Sequence, residues 1–210
     1  MNINKTDICN SALMKFADES IENVDSNYSE RGRRLRLVYE QTLRKVLESA
    51  NWNFAKSFMR LQLIQLSEDE FSKYRFCYAY PDECVYIRKL IAGSRIYKFE
   101  DYKHRDIFLT TDGRKAISCN ICSNLIIEYT RYVDKPHVYS AGFVNALVNR
   151  LAYEVCYSSS GKSDKAAEFL QVYQMEVDTA IANSLNEDDD DEKIHSESLK
   201  AHRRAYDDLP

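Results

Sequence analysis

The chain has no apolar run approaching the roughly 20 residues that cross a bilayer as a helix. Its first stretch, Met1–Lys15, is polar and carries no hydrophobic centre of the kind a secretory signal needs. These absences set aside the membrane and secreted classes. The expectation is a soluble protein made in a reducing cytoplasm, where the six cysteines are free thiols and not a disulfide framework. Histidine is scarce as well. The four, His104, His137, His195 and His202, include no ligand-spaced pair with a third partner. A broad basic surface is also missing, which sets aside a dedicated duplex binder.

Catalytic motifs are equally thin. Gly161-Lys162-Ser163 looks like the end of a phosphate loop, but the required upstream glycine is replaced by Cys156, and no strand precedes it. Cys119-Asn120-Ile121-Cys122 is a lone CxxC without a second pair at zinc spacing. Cys77 and Cys84 flank a turn and His104 is nearby in sequence, but small buried hydrophobes are the better reading for most of these cysteines. No nucleophile–base arrangement stands out, and Glu187–Glu192 lacks the glycine and spacing of a calcium loop. The reading is therefore not an enzyme, with no catalytic residue, no metal and no cofactor.

Charge is present but unevenly placed. The net is −4, whereas residues 186–210 alone hold nine acidic and four basic side chains. The body is thus close to neutral, and the acidity belongs to the tail. That tail has too few apolar residues to offset its own ordering entropy, so an ordered tail would need a partner. Fifteen tyrosines are many for this length. Most are read as half-buried strand residues, with contact surfaces as the other use of a side chain that covers apolar area and keeps a polar tip.

Periodicity organises the rest. Thr6 is read as the N-cap of a first helix near 6–17, with Ile8, Ala12, Leu13 and Phe16 on one face. Ile21 and Val24 anchor the loop that follows. Ser29 caps a second helix over 29–51, whose stripe is Leu35, Tyr39, Thr42, Leu43, Val46 and Ala50. Glu40, Arg44 and Glu48 lie on its far face at ion-pairing spacing, and Leu37 falls there too, either as a lone surface leucine or as a subunit contact. Trp52, Phe54 and Phe58 are read as a core corner past the helix end.

From Leu61 to Val133 the period shortens. Strands are expected over Tyr74–Tyr80, Ile96–Phe99, Ile107–Thr111, Lys115–Cys119 and Leu125–Val133, with Asp112-Gly113 as a hairpin turn. In the last strand Leu125, Ile127 and Tyr129 share one face, and Glu128 and Thr130 the other. Ser140 caps a third helix through about Tyr157, rich in apolar residues around its circumference. A fourth runs over 164–185 with Ala166, Leu170, Tyr173, Val177 and Ile181 as its stripe. The fold class expected is mainly α: a helical bundle (residues 1–60 and 136–185) with a small antiparallel β-domain inserted at 61–135 and an extended acidic segment at 186–210.

The order of these pieces resembles a known family. It runs from Asn10-Ser11-Ala12-Leu13 through an arginine-rich long helix to Trp52-Asn53-Phe54-Ala55, then to the Tyr78-Ala79-Tyr80-Pro81-Asp82 turn and Ile127-Glu128-Tyr129-Thr130-Arg131-Tyr132-Val133, and last to Phe143-Val144-Asn145-Ala146-Leu147 with Leu151-Ala152. Over roughly residues 5–185 this is similar to the tail tubular protein A family, the head-to-tail adaptor of short-tailed phages. The resemblance implies a dodecameric ring in the virion tail, at the head–tail junction, that joins the portal protein to the tail nozzle protein and passes genomic DNA through its lumen without sequence-specific binding. It implies no membrane and no catalytic residues. In that picture Ile194, Leu199, Arg203, Arg204 and Tyr206 are portal-binding candidates. Arg31, Arg33, Arg34 and Leu37 are subunit-interface candidates. The alternatives are a virion-associated peptidoglycan hydrolase and a monomeric cytoplasmic binding module.

Overall fold

A computed structural model describes residues 3–15, 19–26, 30–64, 74–93, 95–108, 113–121, 125–160 and 164–184. In chain order it has α1 (Lys5–Met14), α2 (Glu30–Ser49), β1 (Lys56–Arg60), β2 (Leu63–Ile64), β3 (Phe76–Ala79), β4 (Cys84–Ala92), β5 (Arg95–Lys98), β6 (Arg105–Phe108), β7 (Lys115–Cys119), β8 (Leu125–Arg131) and α3 (Ala141–Ser160). A further helix, α4, spans 164–184. Among the described residues no helix is long and apolar enough to cross a membrane.

The expectation of a mainly α bundle is overturned. The described strands build two four-stranded antiparallel sheets, ordered β1-β8-β4-β5 and β2-β3-β7-β6. The fold is mixed α and β, and its β part is no small insertion. The cause is local. Strand β4 is the longest of them, at 9 residues, yet its alternation is hidden by Arg88 and Lys89 and by a register shift between Ile87 and Lys89. A bulge of this kind breaks the period of two that a sequence pattern relies on. Strand β1 is equally concealed, because its Phe58 reads as part of an aromatic corner.

The chain divides into two compact units. One comprises residues 1–5 and 36–139, the other residues 6–35 and 140–210.

In the first unit the two sheets enclose a common core. Tyr78, Ile117 and Cys119 come from one sheet, and Ile87, Leu90 and Ile127 from the other. Buried tyrosines keep their hydroxyls satisfied, as when Tyr78 donates to the Ile121 carbonyl at 2.8 Å. The second half of α2 belongs here. Its Tyr39, Leu43, Val46 and Leu47 are buried, and its end is tied down twice. Trp52 Nε1 donates to the Val46 carbonyl at 2.7 Å. The Arg88 guanidinium donates to the carbonyls of Leu47 (3.1 Å), Glu48 (2.7 Å) and Ala50 (2.7 Å), with its Nε on Thr130 Oγ1 at 2.9 Å. A helix leaves its last carbonyls without intrahelical partners, and a cation there also opposes the negative end of the helix dipole. Trp52 is thus the corner plug expected of it, while Phe58 is exposed on β1 and takes no part in that corner.

In the second unit Ile8, Ala12 and Leu13 are buried on α1, as are Ile21 and Val24 in the loop. Thr6 does not cap α1, which begins one residue earlier. Its hydroxyl instead accepts from the Val24 N–H at 3.2 Å. Asn10 exchanges two 2.9 Å bonds with the main chain of Ile21, so the loop is pinned by side chains in place of a sheet. Ser140 does cap α3, accepting from Phe143 N–H at 3.3 Å. On that helix Phe143, Leu147, Leu151 and Val155 are buried, and on α4 so are Ala166, Phe169, Tyr173 and Val177. The α4 stripe ends a turn early, since Ile181 is exposed. Between the two helices Asn145 Nδ2 donates to Glu176 Oε1 at 2.5 Å.

Candidate functional site

The feature of the first unit that asks for a partner is an open seam. Strands β1 and β2 follow each other in the chain, and each forms the outer edge of its own sheet. Backbone pairing among the described residues shows which amides are left over. Leu61 N–H donates to the Leu125 carbonyl at 2.8 Å, so with the register Met59↔Ile127 and Phe58↔Glu128 the odd residues of β1 face β8. The N–H and C=O of Phe58 and Arg60 therefore point away from the sheet. By the same parity, the Ala79 N–H on the Gln62 carbonyl (3.1 Å) turns the main chain of Leu63 outward.

Apolar side chains accompany these amides. Phe58 is 58% exposed, Met59 44% and Leu63 58%. An edge with unpaired main-chain groups and exposed apolar residues is a template for strand addition, which natural proteins normally blunt or use. The sequence reading missed these residues. The signal available was a pair of apolar residues bracketed by Lys56 and Arg60, the charge-flanked pattern common on edge strands.

Beside the seam lies a cleft of about 560 Å³ lined in part by Met59, Arg60, Tyr80, Asp82, Glu83 and Arg114. Its charges are mixed. Tyr80 is held from outside the cleft: its hydroxyl donates to Asp106 Oδ1 at 2.8 Å, while Lys115 sits 3.0 Å from Asp106 Oδ2 and 4.3 Å above the Tyr80 ring. Burial, then the bond to Asp106, pushes the Tyr80 phenol well above its ordinary range. Burial likewise pushes the neighbouring Cys84 thiol up to about 12, with Lys115 partly opposing. Both groups are neutral at physiological pH, the opposite of an activated nucleophile.

A buried carboxylate lies on the outer face of the β1-β8-β4-β5 sheet. Glu128, only 3% exposed, accepts from Asn51 Nδ2 at 2.8 Å and stands 3.6 Å from Lys89 Nζ and 3.9 Å from Lys56 Nζ. Its surroundings are those of a compensated structural charge.

The candidates from sequence are scattered. Leu37 is 69% exposed on α2, and Arg33 is exposed on the same helix. Arg34 is ion-paired with Glu30 one turn back. The side chain of Arg31 and the whole of Ile194, Leu199, Arg203, Arg204 and Tyr206 lie outside the described residues, as do Gly161-Lys162-Ser163, Cys122 and the acidic run. The described cysteines, Cys9, Cys77, Cys84, Cys119 and Cys156, are free thiols. Among the described residues no group of three His, Cys, Asp or Glu side chains is placed to hold a metal ion. His104 stacks on Phe99 with centroids 3.9 Å apart, and its Nδ1 lies 2.6 Å from the Tyr102 carbonyl.

No family model matches the chain, and no curated protein matches it.

Proposed function

We propose that the chain is a structural adaptor of a phage virion. Copies of it form a ring, dodecameric in this reading, that joins the portal protein to the tail nozzle protein, and genomic DNA passes through the lumen without sequence-specific binding. The order of sequence motifs supports the reading. The observation that carries it is the open seam, because two consecutive edge strands with exposed Phe58, Met59 and Leu63 suit a subunit that is completed by neighbours.

Charge is consistent with a conduit. Affinity for DNA grows with the number of phosphates neutralised, and a near-neutral body with an acidic end favours weak, sliding contact. The reading needs no catalytic group, cofactor or metal. Its test is co-assembly of the purified chain with the portal protein of the same phage: ring-shaped complexes support the proposal, and a monomer that ignores the portal contradicts it.

A further inference from the structure

We infer that strand β1 of one copy pairs with strand β5 of the next, so that the β1-β8-β4-β5 sheet runs on from subunit to subunit. The inference deepens the ring reading and rests on it for the need of a head-to-tail contact. The strand geometry supplies the rest.

Direction comes first. Every neighbouring pair in this sheet is antiparallel. With four strands, the two edges β1 and β5 run in opposite senses. A second copy laid beside β5 in the same orientation therefore presents β1 antiparallel to it. Among the described residues neither edge has a strand on its outer side. Joining unlike edges is a heterologous contact, the kind that closes into a ring when the rotation per subunit divides a full turn.

Hydrogen-bond parity comes next. On β1 the outward main-chain groups belong to Phe58 and Arg60, as shown above. On β5 the Phe99 N–H donates to the Arg88 carbonyl at 3.0 Å, and the register is Leu90↔Tyr97 and Ile91↔Ile96. Odd residues thus face β4, and the amides of Ile96 and Lys98 point outward. Two edges pair only where outward residues meet outward residues, which excludes every register one residue out of step.

Faces agree as well. Across the sheet Met59, Ile127, Leu90 and Tyr97 form one row, and Leu90 and Ile127 are core residues. Arg60, Ile126, Ile91 and Ile96 form a row on the opposite face, with Phe58, Glu128, Lys89 and Lys98 beside it. Exposed apolar groups therefore sit on the same face of both edges, Phe58 at 58% and Ile96 at 57%.

Charge selects one register. Setting Phe58 opposite Ile96 would align Lys56 with Lys98 beside Lys89, three ammonium groups in a row, which is unfavourable. Shifting by two residues sets Arg60 opposite Ile96 and Phe58 opposite Lys98, whose methylene stem can lie on the ring. Met59 then meets Tyr97 on the core side, and Lys56 falls just past the end of β5, where the chain turns and presents Glu100, exposed and accepting from the Tyr86 hydroxyl at 2.9 Å, and Asp101.

Proline tests the pairing, because at position 58 or 96 it removes an outward N–H that takes no part in the chain's own ladder. The full-length Phe58→Pro and Ile96→Pro variants would be purified, checked by circular dichroism and sized by native mass spectrometry. The wild-type chain should self-associate and each variant alone should be monomeric. A mixture of the two should give a 1:1 heterodimer and nothing larger, since each retains the edge the other has lost. A wild-type chain that stays monomeric up to its solubility limit, a variant that assembles like wild type, or a mixture without heterodimer would each overturn the inference.

Should a variant misfold, zero-length carbodiimide cross-linking of mixed labelled and unlabelled wild-type chains decides instead. A light–heavy link from Lys56 to Glu100 or Asp101, in the turn that follows β5, is expected, and its absence counts against the pairing. Portal-bound rings formed equally well by both proline variants would overturn the pairing and leave the adaptor reading standing. A heterodimer without any portal-bound ring would do the reverse.

Discussion

The guanidinium of Arg88, on β4, donates to the main-chain carbonyl of Ala50 at 2.7 Å, and through that bond and its neighbours the end of α2 is locked to the sheet. Burial lowers the Arg88 pKa, yet an arginine stays charged at any ordinary pH. Arg88→Met removes the donor from three carbonyls and should destabilise the first unit by about 2 kcal/mol. Arg88→Lys should recover less than half, because an ammonium lacks the fork that spans several acceptors. Chemical unfolding followed by the fluorescence of Trp52, the single tryptophan, reads this corner directly. A loss below about 0.5 kcal/mol for Arg88→Met would show that the contact contributes no more than an ordinary surface position.

Glu128 should behave as a structural charge. Glu128→Ala leaves Lys56 and Lys89 without their counter-ion and Asn51 Nδ2 without its acceptor. Both lysines are only about a fifth exposed, but they can swing toward water, so the expected loss is about 2 kcal/mol, below the range for a fully buried pair. Glu128→Gln keeps an acceptor for Asn51 and should lose about half of that. Equal losses for the two variants, measured in the same unfolding assay, would assign the whole effect to charge and contradict the role given to Asn51.

Cys84 sets a pH dependence. Its folded-state pKa, about 12, lies above the ordinary thiol value of 9.0. The contribution of the buried, neutral thiol is therefore fully present below about pH 9 and is lost as pH rises through about 12. Stability should fall over that interval, and Cys84→Ala should flatten the fall. At pH 8 the thiolate is scarce, so peptide-resolved labelling with iodoacetamide should be on the order of a hundredfold slower at Cys84 than for free cysteine. A rate within about tenfold of free cysteine would refute the burial argument.

Leu37 separates assembly from folding. It is 69% exposed, whereas Leu35 is fully buried on the same helix. Leu37→Asp should leave stability within about 0.5 kcal/mol of wild type while reducing the yield of portal-bound rings. Leu35→Asp should unfold the second unit, to which that residue belongs. Rings formed at wild-type yield by Leu37→Asp would remove Leu37 from the interface.

The helices were legible because their cores follow period and polarity together. Leu35, Tyr39, Thr42, Leu43, Val46 and Ala50 form one stripe by spacing, and every one is buried. The strand expected over Lys115–Cys119 has those boundaries in the structure. The β architecture was not legible where charge sits inside it. Alternation sets Glu128 on the face opposite Ile127 but carries no sign of its burial, which comes from Asn51 and two lysines from other parts of the chain. Arg88 broke the pattern of β4 while doing the work of a helix cap at 38 to 41 residues' separation, a pairing no local window contains. Thr6 had the chemistry of a cap and spends it on Val24. The seam is hidden in the sequence for a related reason: Phe58 looks the same in a core corner and on an open edge until the strand order is known.

Imaging of single particles of the purified chain mixed with its portal protein tests the central claim most directly. The adaptor account predicts rings of twelve subunits seated on the portal, with the β1 edge of each subunit against its neighbour. Particles that show a bare portal, with this chain left behind as free monomer, would contradict it.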